Sequence, residues 1–256
     1  MKLRIYPEHI QKYESFFDTL PEKVKKGITF ILDGLYDHEA GKKLFGVMEM
    51  KTIGQKALNV LIEKHNEYLR TLIDTDKGGE RLFLDNIDFT KNDLSELDFV
   101  DTYIASSFFS SQVFRNVNFG DAKLYSCIFK NMVFVDCNFG KTVLEYARIV
   151  GSKFINCNLI QLETLESSFE DVFFYDCVLD GAFSDCSLKD AVFEKCTFNS
   201  TEFWKCSLEN MKFLNRDDQW DLKKIIQEIN IGTDTNPIFI KGSEAVKYFE
   251  SKCMML

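Results

Sequence analysis

The sequence predicts a mainly β solenoid, a fold in which the chain winds through repeated coils. Three observations predict it. A bulky apolar residue recurs at every fifth position between residues 84 and 213, a small residue precedes most of these by two positions, and no proline occurs between Pro21 and Pro237. A period of five fits neither an α-helix nor a β-strand, whose side-chain periods are about 3.6 and 2 residues. The chain must therefore turn a corner every five residues.

The bulky residues form two series in fixed phase. The first runs from Leu84 to Leu179, with Thr164 as a polar member that keeps the phase. The phase then slips by one residue, and the second series runs from Phe183 to Phe213. The remaining positions are mostly Asp, Asn, Ser, Lys and Glu. An ordinary antiparallel β-protein would instead show turn clusters rich in Gly and Pro about every 8 to 12 residues.

This pattern resembles the pentapeptide-repeat proteins, whose repeat reads A/C–D/N–L/F–x–x. The clearest similarity is a run of the form F-x-x-C-x-[FL], which starts at Phe134, Phe154, Phe174, Phe183, Phe193 and Phe203. The resemblance covers about residues 81–215 and implies a right-handed quadrilateral β-helix with four pentapeptides in each square coil. With strands about 4.8 Å apart, about seven coils form a rod roughly 30 Å long. The runs resemble most those of the members that protect DNA gyrase from quinolones.

The chain divides into three predicted domains. Residues 1–80 read as a helical N-terminal domain or cap, in which Leu58, Leu61 and His65 follow helical spacing. Residues 81–215 form the β-helix. Residues 216–256 read as a C-terminal α/β cap, with a helix at about 218–229, a strand at 237–240 and a helix at 243–251. Capping is expected because a solenoid has open ends. The alternatives are a separate partner-binding domain at the N-terminus and a dimerisation element at the C-terminus, as in gyrase-protecting relatives.

Composition and charge restrict the class of protein. The net charge is −9, and residues 81–215 contribute most of it, with 12 basic against 20 acidic side chains. This excess disfavours direct nucleic-acid binding, which needs Lys and Arg to displace counterions. No apolar run approaches the length of a membrane span, and the N-terminus lacks a signal-peptide core. The predicted location is therefore the cytoplasm, where cysteines stay reduced.

Seven of the eight cysteines occupy the small position of the repeat. They are Cys127, Cys137, Cys157, Cys177, Cys186, Cys196 and Cys206. A disulfide or metal ladder is one interpretation; the favoured one is a small apolar side chain that fills a narrow interior. The sequence has no C-x-x-C pair and no His in the repeat, so the spacing of a zinc site is missing. It also lacks a phosphate-binding loop and a nucleophile with a matching base, so no catalytic residue, metal or cofactor is predicted.

One predicted face combines acidic and aromatic residues. Steps of 20 residues place Leu84, Ile104 and Leu124 beneath it. Acidic groups among exposed aromatics are typical of interaction surfaces. The alternative is a solvated surface whose aromatics a terminal domain covers. The candidate partner-binding residues are Tyr103, Tyr125, Glu145, Tyr146, Glu163, Glu166, Asp185, Glu202 and Trp204.

A second predicted face carries an apolar strip. Its members are Val113, Val133, Val135, Ile155, Phe173, Tyr175 and Val192. Such a strip is seldom left in water. We therefore expect a terminal segment or another subunit, as in a homodimer, to pack on it.

Two functions follow from the sequence. The first is a non-enzymatic protein that presents the acidic, aromatic-bearing surface to a protein partner, as a scaffold, a regulator or an immunity protein. The second is what the family resemblance implies, a DNA mimic that binds DNA gyrase or topoisomerase IV and protects it from poisons such as quinolones. A B-DNA segment as long as this rod carries on the order of 20 negative charges, so the net charge of the repeat is low for a mimic.

Overall fold

The protein is described by a computed structural model that covers residues 50–71, 78–95, 97–214, 225–232, 236–252 and 254–255. In these ranges the chain forms a parallel β-solenoid of about seven turns. Helix α1 (Gln55–Thr71) lies on its N-terminal side, and helix α2 (Gly242–Lys252) lies near its C-terminal end. The predicted fold class is confirmed.

Three sheets form the sides of the solenoid, and their strands are numbered in chain order. The long face has ten strands: β1 (Phe83–Asp85), β2 (Tyr103–Ala105), β5 (Lys123–Tyr125), β8 (Val143–Glu145), β11 (Asn158–Leu165), β14 (Val178–Ser184), β16 (Thr197–Phe198), β17 (Glu202–Ser207), β19 (Ile226–Asn230) and β20 (Phe239–Lys241). The apolar face has seven: β4 (Val113–Arg115), β7 (Val133–Val135), β10 (Lys153–Ile155), β13 (Phe173–Tyr175), β15 (Val192–Glu194), β18 (Lys212–Leu214) and β21 (Met254–Met255). The short face has four: β3 (Phe108–Ser110), β6 (Ile128–Lys130), β9 (Arg148–Val150) and β12 (Ser168–Glu170). All of these pairs are parallel except β19 with β20.

The interior is a set of stacked side chains. Each bulky repeat residue from Leu84 to Phe213 is buried, including Thr164. Under the apolar face, the Phe154 ring lies 4.8 Å from that of Phe134 and 5.0 Å from that of Phe174. Because the centre of a three-residue strand points inward, the residues on both sides of it point outward.

The corners of the solenoid use left-handed backbone. Among the residues that the structure describes, 21 other than glycine have positive φ, between 49° and 64°, and most are Asp, Asn or Ser. These side chains tolerate that conformation better than most. The fourth side is closed by an amide ladder, in which Asn138 Nδ2 donates to Asn118 Oδ1 (2.8 Å) and Asn158 Nδ2 donates to Asn138 Oδ1 (2.9 Å). This ladder satisfies the stacked Asn side chains within the fold.

The phase slip after Leu179 removes one corner. β14 runs straight through residues 178–184, and none of residues 180–182 has positive φ. A Cβ atom added to Gly181 would lie 2.4 Å from the Leu162 carbonyl oxygen, so only glycine allows this close approach. Thr164 is satisfied beside the slip, because its Oγ1 donates to the Ala182 carbonyl (3.1 Å).

Helix α1 packs on the first coil. Leu58 and Ile62 belong to the same buried cluster as the repeat residues. His65 is also buried; the Leu82 N–H donates to its Nδ1 (3.1 Å), so its Nε2 donates to the Val100 carbonyl (3.0 Å). The rest of the predicted N-terminal domain, residues 1–49 and 72–77, lies outside the described residues.

The C-terminal prediction is partly wrong. The helix predicted at about 218–229 does not extend over residues 226–229, because these form strand β19 beside β17; residues 218–224 lie outside the described ranges. The pairing buries Ile226 and Ile229 and extends the long face. The predicted last helix is confirmed as α2, and the predicted strand is β20, shifted by two residues at its start.

Candidate protein-binding face

The long face carries two columns of outward side chains. The register aligns Phe83, Tyr103, Lys123, Val143, Glu163, Ala182 and Glu202 in the first column. The second column includes Asp85, Ala105, Tyr125, Glu145, Leu165, Ser184, Trp204 and Glu228. Eight of the nine candidate residues lie on this face or along its edge with an accessible side chain, and the ninth, Tyr146, is buried.

An aromatic ladder occupies the N-terminal end of the long face. The Phe83 and Tyr103 rings stack at 4.1 Å, and the Tyr103 and Tyr125 rings lie 5.5 Å apart. Phe83 is 65% exposed, whereas both tyrosines are half-buried. The ladder holds a flat apolar surface in place, so binding to it would cost little side-chain entropy.

The corner beside the long face holds three candidate residues. Tyr146, Glu166 and Asp185 occupy left-handed positions that follow β8, β11 and β14. Tyr146 is only 6% exposed, so it does not offer a contact surface, although it is not part of the hydrophobic core cluster. Partial desolvation raises the pKa of Asp185 above its usual range; the nearby Lys205 lowers it and Glu228 raises it further.

A groove of about 600 Å³ lies in the middle of the long face. It coincides with the missing corner, where Gly181 and Ala182 replace larger side chains. Its charged groups are of both signs, because Lys123 and Lys141 face Glu145 and Glu163. The full lining is Asp121, Lys123, Tyr125, Lys141, Val143, Glu145, Gln161, Leu162, Glu163, Gly181 and Ala182. Lys141 and Gln161 were not among the residues predicted from the sequence. The one-residue slip between Leu179 and Phe183 was the available signal for an irregularity here.

The C-terminal end of the long face carries Glu202 and Trp204 on strand β17. Both are exposed, and Trp204 adjoins Glu228 across the β17–β19 pairing. Glu228 was not predicted as part of this face, because the sequence predicted a helix for its segment. The run of β-branched residues at Ile225, Ile226 and Ile229 was the available signal for a strand.

The seven cysteines of the repeat lie in the interior, as predicted. Cys157 Sγ donates to the carbonyls of Phe134 (3.6 Å) and Ile155 (3.4 Å), and the other six make similar contacts. Burial raises the pKa of Cys127 to about 12. A hydrogen bond that Cys137 donates to Cys157, together with burial, raises the pKa of Cys137. Cys127 and Cys137 are therefore not nucleophiles at neutral pH. Among the described residues, no group of three or more His, Cys, Asp or Glu side chains is arranged to hold a metal ion.

Within the described ranges, no helix combines the length and apolarity that a membrane crossing requires.

Comparison with known proteins supports the repeat assignment. The family model for the pentapeptide repeat region matches residues 106–182 and 148–217. A search of curated protein sequences gave no match. Among solved structures, QnrB1, a plasmid-mediated fluoroquinolone resistance protein, is 14% identical, with 59% of this chain and 84% of that chain covered and a TM-score of 0.28.

Two further solved structures are similar to part of the chain. A pentapeptide repeat protein from the Arabidopsis thaliana thylakoid lumen is 20% identical, with 51% of this chain and 79% of that chain covered and a TM-score of 0.21. HetL, a pentapeptide repeat protein involved in heterocyst differentiation regulation from the cyanobacterium Nostoc sp. strain PCC 7120, is 13% identical, with 59% and 98% covered and a TM-score of 0.16.

Proposed function

Because this chain belongs to the pentapeptide-repeat family, we propose that it is a non-enzymatic protein-binding module that uses its long face to contact one protein partner. The observation that carries the proposal is the composition of that face. Exposed aromatic side chains stand at both ends, Phe83 and Trp204, and a groove with charges of both signs lies between them. Large aromatics within a polar, charged surround are the usual composition of a recognition surface.

The partner should present a surface that is basic on balance. The long face and its corners carry Asp85, Asp121, Glu145, Glu163, Glu166, Asp185, Glu202 and Glu228 against Lys123, Lys141, Lys205 and Lys241. Opposite charge across an interface speeds association and rejects wrong partners. A parallel solenoid with stacked aromatic rings is rigid, so little entropy is lost when the partner binds.

The flanks have a supporting role in this proposal. Helix α1 covers the first coil, and strands β19 and β20 extend the long face past the last regular coil. We assign residues 1–80 and 216–256 to capping, with a homodimer as a further prediction for the C-terminal part. Seven cysteines are buried as free thiols, which suits a compartment that keeps cysteines reduced. The cytoplasm is the location we propose.

DNA mimicry remains the alternative implied by the family. It requires negative charge at a regular spacing that matches phosphates. On the long face, Lys123 lies among the acidic residues, and Val143 and Ala182 interrupt the first column. The mixed surface favours a specific protein contact, and mimicry becomes an outcome of the test.

The proposal is tested by capture with matched charge reversals. The tagged protein is compared with Glu163→Lys/Glu202→Lys on the long face and with Asp171→Lys/Asp176→Lys beside the apolar face; all four side chains are exposed. We expect a captured protein to be lost only with the first pair. Equal capture by all three forms, or equal loss with both pairs, would overturn the long-face proposal.

A second assay separates the two functions. Purified DNA gyrase is assayed for supercoiling with and without a quinolone, in the presence of each form. Protection by the wild-type protein and by Asp171→Lys/Asp176→Lys, but not by Glu163→Lys/Glu202→Lys, would establish mimicry and replace the present proposal. No effect at concentrations well above that of gyrase leaves the specific protein contact.

A further inference from the structure

The C-terminal end of the long face contains a second concave site. Strands β17, β19 and β20 form its floor, and its volume is about 430 Å³. The β17–β19 register shifts between Phe203 and Trp204, so that Trp204 pairs with Glu228 and Gln227 is displaced from the ladder. Five side chains line the pocket: Glu202, Trp204, Gln227, Glu228 and Lys241.

The pocket has more negative than positive charge. Glu202 is exposed and Glu228 is half-buried, and neither forms an ion pair with a residue of the described ranges. Lys241 is the single cation of the lining and lies opposite Glu228 across the β19–β20 pairing. The site therefore combines two carboxylates that form no ion pair with a described residue and one ammonium at its border.

The aromatic side chains beside this pocket already hold a cation. Lys205 Nζ lies 4.3 Å from the centre of the Trp204 ring system and 5.8 Å from the centre of the Phe239 ring. Trp204 stays 43% exposed, and the pocket is lined by Trp204 but by neither Lys205 nor Phe239. Part of the Trp204 side chain therefore borders the pocket together with the two carboxylates. An aromatic ring beside carboxylates attracts an ammonium or guanidinium group.

We propose that this pocket binds the cationic side chain of an arginine on the protein partner, with Trp204 against the guanidinium plane and Glu202 and Glu228 as its acceptors. Arginine fits better than lysine, because its planar group stacks on an aromatic face and still donates to carboxylates from its edge. This inference deepens the proposed function and rests on it. It adds the chemistry that the partner must supply at one end of the long face.

The test uses Trp204 as a reporter. The chain has two tryptophans, Trp204 and Trp220, and Trp220 lies outside the described residues. In the Trp220→Phe variant, all tryptophan fluorescence comes from Trp204. The probe is a blocked peptide with three arginines separated by glycines, and its control replaces each arginine by the uncharged isostere citrulline. We expect a saturable change in Trp204 emission with the arginine peptide, weakened by salt, and none with the citrulline peptide.

Matched variants locate the binding site. Glu202→Gln and Glu228→Gln should each weaken binding of the arginine peptide about fivefold or more. Glu163→Gln removes the same charge from the central groove of the same face and should change binding less than twofold. An equal response to the citrulline peptide, or equal weakening by all three variants, would overturn the proposal, since either result would indicate contact without a defined cation site.

A second readout covers the case in which Trp220→Phe does not fold. In the wild-type protein, the indole N–H signal of Trp204 is followed by NMR and assigned through Trp204→Phe. A shift with the arginine peptide alone supports the pocket, and no shift overturns it. Failure here is distinct from failure of the proposed function. If a partner is captured through the long face but the arginine peptide does not bind, only the pocket proposal is wrong. If the arginine peptide binds but no partner is captured, the proposed protein-binding function is wrong.

Discussion

The long face and the apolar face lie on the same solenoid and repeat at the same interval, yet they differ at their corners. On the apolar face, a left-handed residue precedes and follows each of the strands β4, β7, β10, β13 and β15. Examples are Asn131 and Asp136 around β7 and Asp171 and Asp176 around β13. The long face lacks a left-handed residue at 180–182 and again at 199–201, before β17. Its groove lies beside the first of these places, where the repeat is one residue short.

The outward residues of the two faces also differ. The apolar face presents Val133, Val135, Ile155, Phe173 and Tyr175 in register, together with Lys153. The long face presents charged and aromatic residues around its groove. The long face rests on Leu84, Ile104 and Leu124, whereas the apolar face rests on stacked phenylalanines. Both sets are buried at the same interval of 20 residues, so the interior fixes the shape of the coil and leaves the exterior free to vary.

The largest expected effect comes from the shared interior. Phe154→Ala removes a ring stacked between Phe134 and Phe174 and should lower the free energy of unfolding by about 3–5 kcal/mol. Phe83→Ala removes a ring of similar size from the surface of the long face and should cost about 1 kcal/mol or less. Urea unfolding followed by circular dichroism measures both. Similar losses in the two variants would contradict the division into interior and surface.

The missing corner is tested at Gly181. Gly181→Ala places a methyl group against the Leu162 backbone and should lower the unfolding free energy by about 1–3 kcal/mol. Gly140→Ala is the control, because the nearest atom to its added Cβ is the Asn138 side-chain oxygen at 3.1 Å, which can yield more easily. Thermal melting of both variants ranks them. If Gly140→Ala is the more damaging change, the close approach of β11 and β14 does not decide the shape of the groove.

Lowering the pH should destabilise the N-terminal end of the long face more than that of the apolar face. Burial lowers the pKa of His65 below 6.5, despite the opposing effects of the Val100 carbonyl, Asp98 and Asp101. Protonation would add a hydrogen to Nδ1, which accepts from the Leu82 N–H beside β1. Neutral His65 stabilises the fold fully above about pH 6.5. This contribution to the free energy of unfolding is lost as the pH falls from about 6.5 through the lower pKa of the folded state. The loss is about 1.4 kcal/mol per pH unit.

Hydrogen exchange between pH 7 and pH 5 measures this effect. After correction for intrinsic exchange rates, amides of α1 and β1 should lose protection at the lower pH, whereas those of β4 on the apolar face keep theirs. His65→Gln should remove the difference between the two pH values. A loss of protection that is equal in β1 and β4 would point to global unfolding rather than to His65.

The smallest expected effect lies on the apolar face itself. Val133 is half-buried between Val113 and Lys153 on neighbouring strands. If water contacts this strip, Val133→Thr should change the unfolding free energy by about 0.5 kcal/mol or less, since Thr suits a strand as well as Val does. Calorimetry of the full chain measures it. A loss above about 1 kcal/mol would show instead that a segment or a second copy covers the strip.

The two ends of the chain show how far sequence reasoning reached. The period of five predicted the solenoid, the inward position of the cysteines and the set of residues on the long face. It could not reveal that Tyr146 is buried, because the repeat assigns that position to a corner and does not fix its side chain. The C-terminal flank has no repeat, and the spacing of Ile225, Ile226 and Ile229 fits a helix as well as a strand. Residues 226–230 form a strand because they pair with β17.

The sequence by itself determined the coil, because a bulky residue at every fifth position can be buried only if the chain turns at the same interval. It also determined which residues point outward, since inward and outward positions alternate in each short strand. Only the tertiary structure decided where those surfaces become concave. The groove beside Gly181 depends on how two coils stack across a missing corner, and the pocket beside Trp204 depends on strands that the repeat does not encode. Both arise from contacts between segments distant along the chain, which a local pattern does not specify.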